Sequence, residues 1–131
     1  MTILILQTGE PLDIDKNNLR PMRAINLCEK FFEDNIKVDL ISSVFDHTKK
    51  IHRKEPFHLK NNLLRETYLL KSPGYKSNIS FGRLFDHSVM ALSLLKYLIK
   101  KKDKTKLVFI GFPPIETSFI MVIYCIWNRI P

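Results

Sequence analysis

The chain alternates near-continuous apolar runs with amphipathic stretches. Residues 2–7 form an apolar run closed by Thr8-Gly9-Glu10-Pro11, the pattern of a strand covered on both faces and followed by a sharp turn. Pro21 suits the first turn of a helix, and Ala24, Leu27, Cys28 and Phe31 follow at helical spacing, with an end near Asn35. Residues 38–41 predict a second strand, which closes a β-α-β unit. The polar, basic stretch 46–60 shows no period and reads as a long loop, with room for a short helix. Residues 63–70 predict a third strand, placed at an edge. After the turn at Lys71-Ser72-Pro73-Gly74-Tyr75 a long helix is expected from about Ser80, with Leu84, His87, Ser88, Ala91, Leu94, Leu95 and Leu98 along one side. It stops in Lys100-Lys101-Lys102, where cations suit a helix C-terminus. Residues 107–112 predict a fourth, buried strand, Pro113-Pro114 a turn, and 115–128 a strongly apolar helix, after which Ile130-Pro131 would open a further strand. This alternation predicts an α/β fold: a doubly wound parallel sheet with right-handed crossovers and helices on both faces.

The 131 residues, 45% of them apolar, make one domain with a real core and exclude a disordered tail or a disulfide scaffold. Cys28 and Cys125 lie far apart and outside any ligand spacing, so they read as buried thiols of a reducing compartment, and the chain is expected to be cytoplasmic. The N-terminal apolar run has no basic flank and no small-residue cleavage site after it, which fits a strand and not a secretory leader. The longest apolar run, residues 119–127, falls far short of the roughly 20 residues that cross a bilayer.

Charge is distributed unevenly. The formal net charge is +8, yet residues 1–46 hold 5 basic and 8 acidic side chains, residues 47–106 hold 15 and 4, and residues 107–131 one of each. An anionic partner therefore belongs to the middle third: a phosphorylated sugar or lipid, an acidic membrane face or nucleic acid. Aromatic residues interleave poorly with the Lys100–Lys106 cluster, which weighs against nucleic acid.

In an open α/β sheet, ligands bind beyond the carboxyl ends of the strands where the strand order reverses. With the first strand central and the fourth on its other side, that crevice would be lined by residues 8–15 and 111–116. Helix starts near Pro21 and Ile115 would aim N–H donors at it, and Arg20 and Arg23 would add charge or else form a solvated first turn. After the first strand there is Gly9 but no G-x-G-x-x-G, and neither a phosphate-binding G-x-x-x-x-G-K loop nor a G-x-S-x-G elbow occurs. His47, His52, His58 and His87 lack metal-ligand spacing, so no metal is expected. Asp86 and His87 are adjacent and so point to different helix faces, which favours a packed or capping histidine over an acid–base pair.

The opening strand with Gly9-Glu10-Pro11, the segment Arg20-Pro-Met-Arg23-Ala-Ile-Asn-Leu27 leading to Asn35-Ile-Lys-Val-Asp-Leu-Ile-Ser-Ser43, and Phe109-Ile-Gly-Phe-Pro-Pro-Ile-Glu-Thr-Ser118 together resemble the N-terminal half of bacterial family 4 glycosyltransferases. These are retaining enzymes with two Rossmann-like domains, the GT-B architecture. The family's G-H-x-V-x-[VL]-x-[ST] pattern is altered here, with Asp34-Asn35-Ile36 in place of Gly-His. The resemblance implies an incomplete N-terminal, acceptor-side Rossmann-like domain. Its partner would be a saccharide or lipid-linked saccharide acceptor in polysaccharide biosynthesis, with peripheral contact to the inner face of an anionic membrane. Gly9 and Glu10 would face the interdomain cleft, Arg20 and Arg23 acceptor phosphate or hydroxyls, and Pro113, Pro114 and Glu116 the opposite wall. The nucleotide-sugar donor would be held only by a C-terminal domain absent from these residues, leaving the fragment inactive by itself and without a cofactor of its own. The rival expectation is a free-standing α/β module that binds a phosphate-bearing ligand or a protein partner.

Overall fold

The computed structural model describes residues 2–15, 20–101, 103–112 and 114–131. Strand β1 (Thr2–Leu6) is buried along its whole length, as its unbroken apolar run requires. Helix α1 (Arg23–Glu33) returns the chain antiparallel to it, ending where Asn35 takes a left-handed conformation (φ 56°), and β2 (Val38–Ser43) lies parallel to β1 with Ile3 opposite Val38. A small hairpin, β3 (Phe45–Asp46) and β4 (Ile51–His52), stands apart from the main sheet. Then come β5 (His58–Lys60), β6 (Arg65–Leu70), α2 (Phe81–Lys100), β7 (Thr105–Ile110) and α3 (Ile115–Asn128).

The five-stranded sheet has the order β5-β6-β2-β1-β7. Four strands run parallel, and β5 runs antiparallel to β6. The sheet is therefore mixed, which corrects the all-parallel expectation. Stretch 46–60 is not a plain loop, because it builds the hairpin and the antiparallel edge strand. Elements of two or three residues are too short to impose a period. The hairpin turn is instead held locally, with the Asp46 carboxylate accepting from the N–H groups of Thr48 (2.9 Å) and Lys49 (3.1 Å). With β5 outside it, β6 is internal and not the edge strand expected. By contrast β7 ends the sheet, and its side chains are largely half-buried or exposed, where full burial was expected.

Alternation along the strands splits the core in two. Ile3, Ile5, Val38 and Leu40 face α1 through Ala24, Ile25 and Cys28. Leu4, Leu6, Ile41 and Leu70 face α2 and α3 through Met90, Leu94, Leu98 and Met121. Ser80 caps α2, its hydroxyl accepting from the Arg83 N–H. The stripe that α2 buries is turned from the expected one: it includes Asp86 and Met90, while Leu84 and Leu95 stay 56% and 42% exposed.

Asp39 sits on the same face as the Leu4 cluster, 2% exposed in the middle of an apolar strand. It accepts from Lys101 Nζ (2.5 Å) and from the Tyr97 hydroxyl (2.8 Å). Lys101, one of the cations at the C-terminus of α2, has its side chain buried in this pair. Burial, together with the neighbouring Asp39 carboxylate, drives the Tyr97 phenol far above its ordinary value, so it acts as a permanent donor. A buried pair is dear to break and cheap to replace as a whole. Lys101→Ala is expected to lower the unfolding free energy by about 3–5 kcal/mol in urea titrations, whereas Asp39→Leu combined with Lys101→Met stays near wild type.

Candidate functional site

The strand order reverses at β1, since β2 and β6 lie to one side of it and β7 to the other. The loops that leave β1 and β7 part at this point. They are tied where they begin, by the Gly111 N–H donating to the Leu6 carbonyl at 2.6 Å. A Cβ at 111 would lie 2.6 Å from the Gln7 amide, so a larger residue there would have to push that flexible side chain aside. Beyond this tie the surface opens into three adjoining clefts at the carboxyl ends of the strands, the placement expected for an open α/β sheet.

On the α1 side lies a 400 Å³ cleft lined by Glu10, Arg23, Gly111 and Phe112. Glu10 is 6% exposed, and it holds α1 in place: Oε2 accepts from the Ala24 N–H (3.0 Å), and Oε1 accepts from Arg23 Nε and Gln7 Nε2 (both 3.1 Å). Met22 at the helix start makes no side-chain cap, so a carboxylate 14 residues upstream in sequence does the capping. Arg23 extends into solvent, its side chain 87% exposed, with its Nε on Glu10. Arg20 is exposed on the approach to α1.

Across the β1 loop, a 330 Å³ cleft is lined by Gly9, His47, Lys50, Tyr75, Arg83 and Pro114, among others. Nothing in the fold demands glycine at 9, since a Cβ would meet only Gln7 Oε1, at 4.0 Å. What the missing side chain leaves is room in the cleft. The hairpin wall is clamped by Arg53, its side chain 5% exposed, which donates from Nε and Nη2 to the two Asp15 oxygens (2.5 and 2.7 Å) and from Nη1 to the Ser43 carbonyl (2.7 Å). Burial raises the Asp15 carboxyl, but the Arg53 bonds and the Leu12 N–H outweigh it and hold the group below its ordinary value.

Aromatic contacts assemble the floor. His47 Nδ1 is 3.0 Å from the Tyr75 hydroxyl, and Lys50 Nζ stands 4.0 Å above the Tyr75 ring while donating to Asn78 Oδ1 at 2.6 Å. Arg83 donates to the Asn78 carbonyl (2.8 Å) and lies over the same ring. The Tyr75 loop is anchored from beneath by Asp86, fully buried, which accepts from the Ser72 hydroxyl and, at 2.8 Å, from the Gly74 N–H. Gly74 is left-handed (φ 81°), and a Cβ there would strike the Phe45 ring at 2.7 Å. Asp86 and His87 do point to different faces, and His87 turns to α3, where its Nδ1 lies 3.3 Å from Glu116 Oε2. An imidazole beside a carboxylate at a cleft wall can orient or exchange the proton of a bound hydroxyl. Both residues line a third, more apolar cleft of 630 Å³ with Ile79, Phe81, Leu84 and Phe112.

Of the residues expected to face an acceptor, Gly9 and Pro114 share the 330 Å³ cleft, Glu116 joins Pro114 in the apolar one, and Glu10 and Arg23 lie on the α1 side. Pro113 lies outside the described residues. Lys50, Tyr75, Asn78 and Arg83, which line the 330 Å³ cleft, were not legible in the sequence as site residues. Their only signal was the basic middle third and a Pro-Gly-Tyr turn, neither of which has a fixed spacing. Among the described residues no group of three His, Cys, Asp or Glu side chains converges as a metal site, and no helix is long and apolar enough to cross a membrane. A scan against protein-family models matches none, and a search of the curated proteins finds no relative.

Two outcomes follow from these placements. Glu10→Ala is expected to reduce stability by about 1–2 kcal/mol in chemical denaturation, the loss of a helix cap. Burial pushes the His47 imidazole down to about 4 from 6.5, with Lys50 and Arg53 adding to it and Asp86 opposing. The unfolded imidazole thus takes its proton first, so stability is intact above pH 6.5 and falls as the pH drops toward 4. Glu66, held at about 2 by the Tyr68 hydroxyl with His58 and Lys37, loses its contribution only below about 4.5. Thermal melts between pH 6.5 and 4.5 are expected to show a decline that His47→Gln removes.

Proposed function

We propose that the chain is the acceptor-side domain of a retaining glycosyltransferase of family 4, with a Rossmann-like doubly wound sheet as its frame. It takes up a saccharide or lipid-linked saccharide at the cytoplasmic face of a membrane. Nucleotide-sugar binding belongs, on this reading, to a second domain outside these 131 residues, without which no sugar is transferred.

The observation that carries the proposal is the 330 Å³ cleft at the reversal of strand order, with Gly9 and Pro114 on facing loops and Lys50 and Arg83 over the Tyr75 ring. Two cations, an aromatic face and the polar side chains of Asn78, Thr8 and Thr48 are what a phosphorylated sugar asks of a protein: charge for the phosphate, a flat apolar surface for the ring, and donors and acceptors for the hydroxyls. The neighbouring 630 Å³ cleft supports the lipid part of the acceptor. Its rim carries Ile79, Phe81 and Phe112, which are 95%, 90% and 67% exposed, and apolar side chains beside cations suit an anionic bilayer surface.

The test is retention of the chain on nanodiscs of one anionic lipid composition, with and without a polyprenyl-diphosphate-linked monosaccharide. The acceptor is expected to strengthen binding at least tenfold. Gly9→Leu, which fills the cleft without touching the core, and Arg83→Ala are each expected to abolish that gain with unchanged thermal melts. Equal retention on both discs, or a gain untouched by both substitutions, overturns the proposal.

A further inference from the structure

Helix α2 is apolar on two opposite sides. One side carries Met90, Leu94 and Leu98 into the core. The other repeats Phe81, Phe85, Ser88, Leu92, Leu95 and Ile99 at alternating steps of four and three, which makes one stripe pointing away from the sheet. In it Phe85, Leu92 and Ile99 are 63%, 59% and 74% exposed. These residues line none of the clefts described above, so the stripe is a ridge and not a groove. Its upper end, at Phe81, enters the 630 Å³ cleft. α2 packs on β6 and α3 on β7, which puts α3 between the stripe and the β7 edge. The exposure of Leu92, Leu95 and Ile99 therefore does not depend on what lies beside β7 or across the carboxyl ends of the strands.

The charges beside the stripe select what covers it. The acidic side chain of α2, Asp86, is fully buried, whereas Lys96 and Lys100 are exposed along one flank of the stripe. Lys71 is exposed beside them, because its N–H donates to the Ser93 hydroxyl on that flank at 3.0 Å. A row of lysines bordering phenylalanine, leucine and isoleucine is the pattern of a helix lying in a bilayer surface, with its apolar side chains in the headgroup boundary and its ammonium groups on lipid phosphates. A second copy would bring the same cations and its own net charge of +8, and a rigid protein would need a groove shaped to the ridge. We infer that α2 docks lengthwise on an anionic bilayer through Phe85, Leu92, Leu95 and Ile99, with Lys71, Lys96 and Lys100 against the lipid phosphates. This placement rests on the membrane acceptor proposed above, yet it needs neither the sugar nor the 330 Å³ cleft. Because the stripe runs into the 630 Å³ cleft at Phe81, a lipid-borne ligand passes from bilayer to cleft without crossing water.

Co-sedimentation of the purified chain with acceptor-free vesicles tests this, using phosphatidylcholine alone or mixed with phosphatidylglycerol. Binding is expected only with phosphatidylglycerol present, and it weakens as salt is raised. Leu92→Gln combined with Ile99→Gln, and separately Lys96→Gln combined with Lys100→Gln, are each expected to weaken it about tenfold or more with unchanged thermal melts. Phe32→Gln, on α1 across the sheet, is expected to leave it unchanged. A Ser88→Trp reporter in a Trp127→Phe background is expected to be quenched by chain-brominated lipid. No binding to the acceptor-free anionic vesicles, equal binding to both vesicle types, binding that survives both double substitutions, or an unquenched reporter overturns the inference. Failure here leaves the acceptor-dependent gain on nanodiscs to be judged by itself, and a missing gain with intact vesicle binding overturns the acceptor site alone.

Discussion

The architecture follows from the burial of β1. Five buried residues, four of them apolar and alternating between the two faces, need cover on both, and a strand in this position also needs a hydrogen-bonding neighbour on each side. The chain meets the first need with α1 on one face and α2 with α3 on the other, and the second by sending β2 one way and β7 the other. Once the neighbours of β1 are reached from opposite sides, the loops at its carboxyl end must diverge, and a crevice forms between them. The clefts are thus a by-product of satisfying one strand.

The same economy shapes the crevice walls. Each is held by a buried polar group that satisfies the backbone where no regular element does: Glu10 at the start of α1, Arg53 with Asp15 behind the hairpin, Asp86 under the Tyr75 loop. Glu10 and the Arg53–Asp15 pair are tolerable to bury because each has several partners, whereas Asp86 takes both of its bonds on Oδ1 and leaves its buried Oδ2 without one. With the supports fixed from below, Lys50, Tyr75 and Arg83 are left to face the opening.

The elements with a sustained period were legible in the sequence. β1, α1, α2 and α3 were read within one or two residues, since each imposes a pattern over several turns or a continuous run. What escaped was short or set by tertiary contact. The β3-β4 hairpin rests on one Asp46 turn, and β5 exists because β6 has a free edge to offer. The buried stripe of α2 is turned because Asp86 is needed under residues 72–74. Among the candidate site residues, Gly9 and Pro114 line the cleft because they flank strands. Glu10 was placed in the right loop, yet its capping of a helix far along the chain has no local signature. Lys50, Arg83 and the Tyr75 ring converge from three separate elements, which no spacing rule in one sequence can bring together.

The pairing of β1 with β7 has a consequence in time. Ile3 lies opposite Leu107, so about a hundred residues must be made before the central strand acquires its second neighbour. During synthesis β1 and β2 can join early through α1, but the far side of β1 stays open until β7 emerges, leaving a sticky apolar ribbon on the nascent chain. Such a protein folds late and all at once on that side. It should depend on holdase chaperones more than its modest size suggests, and a ribosome that pauses before residue 105 would prolong its most vulnerable state.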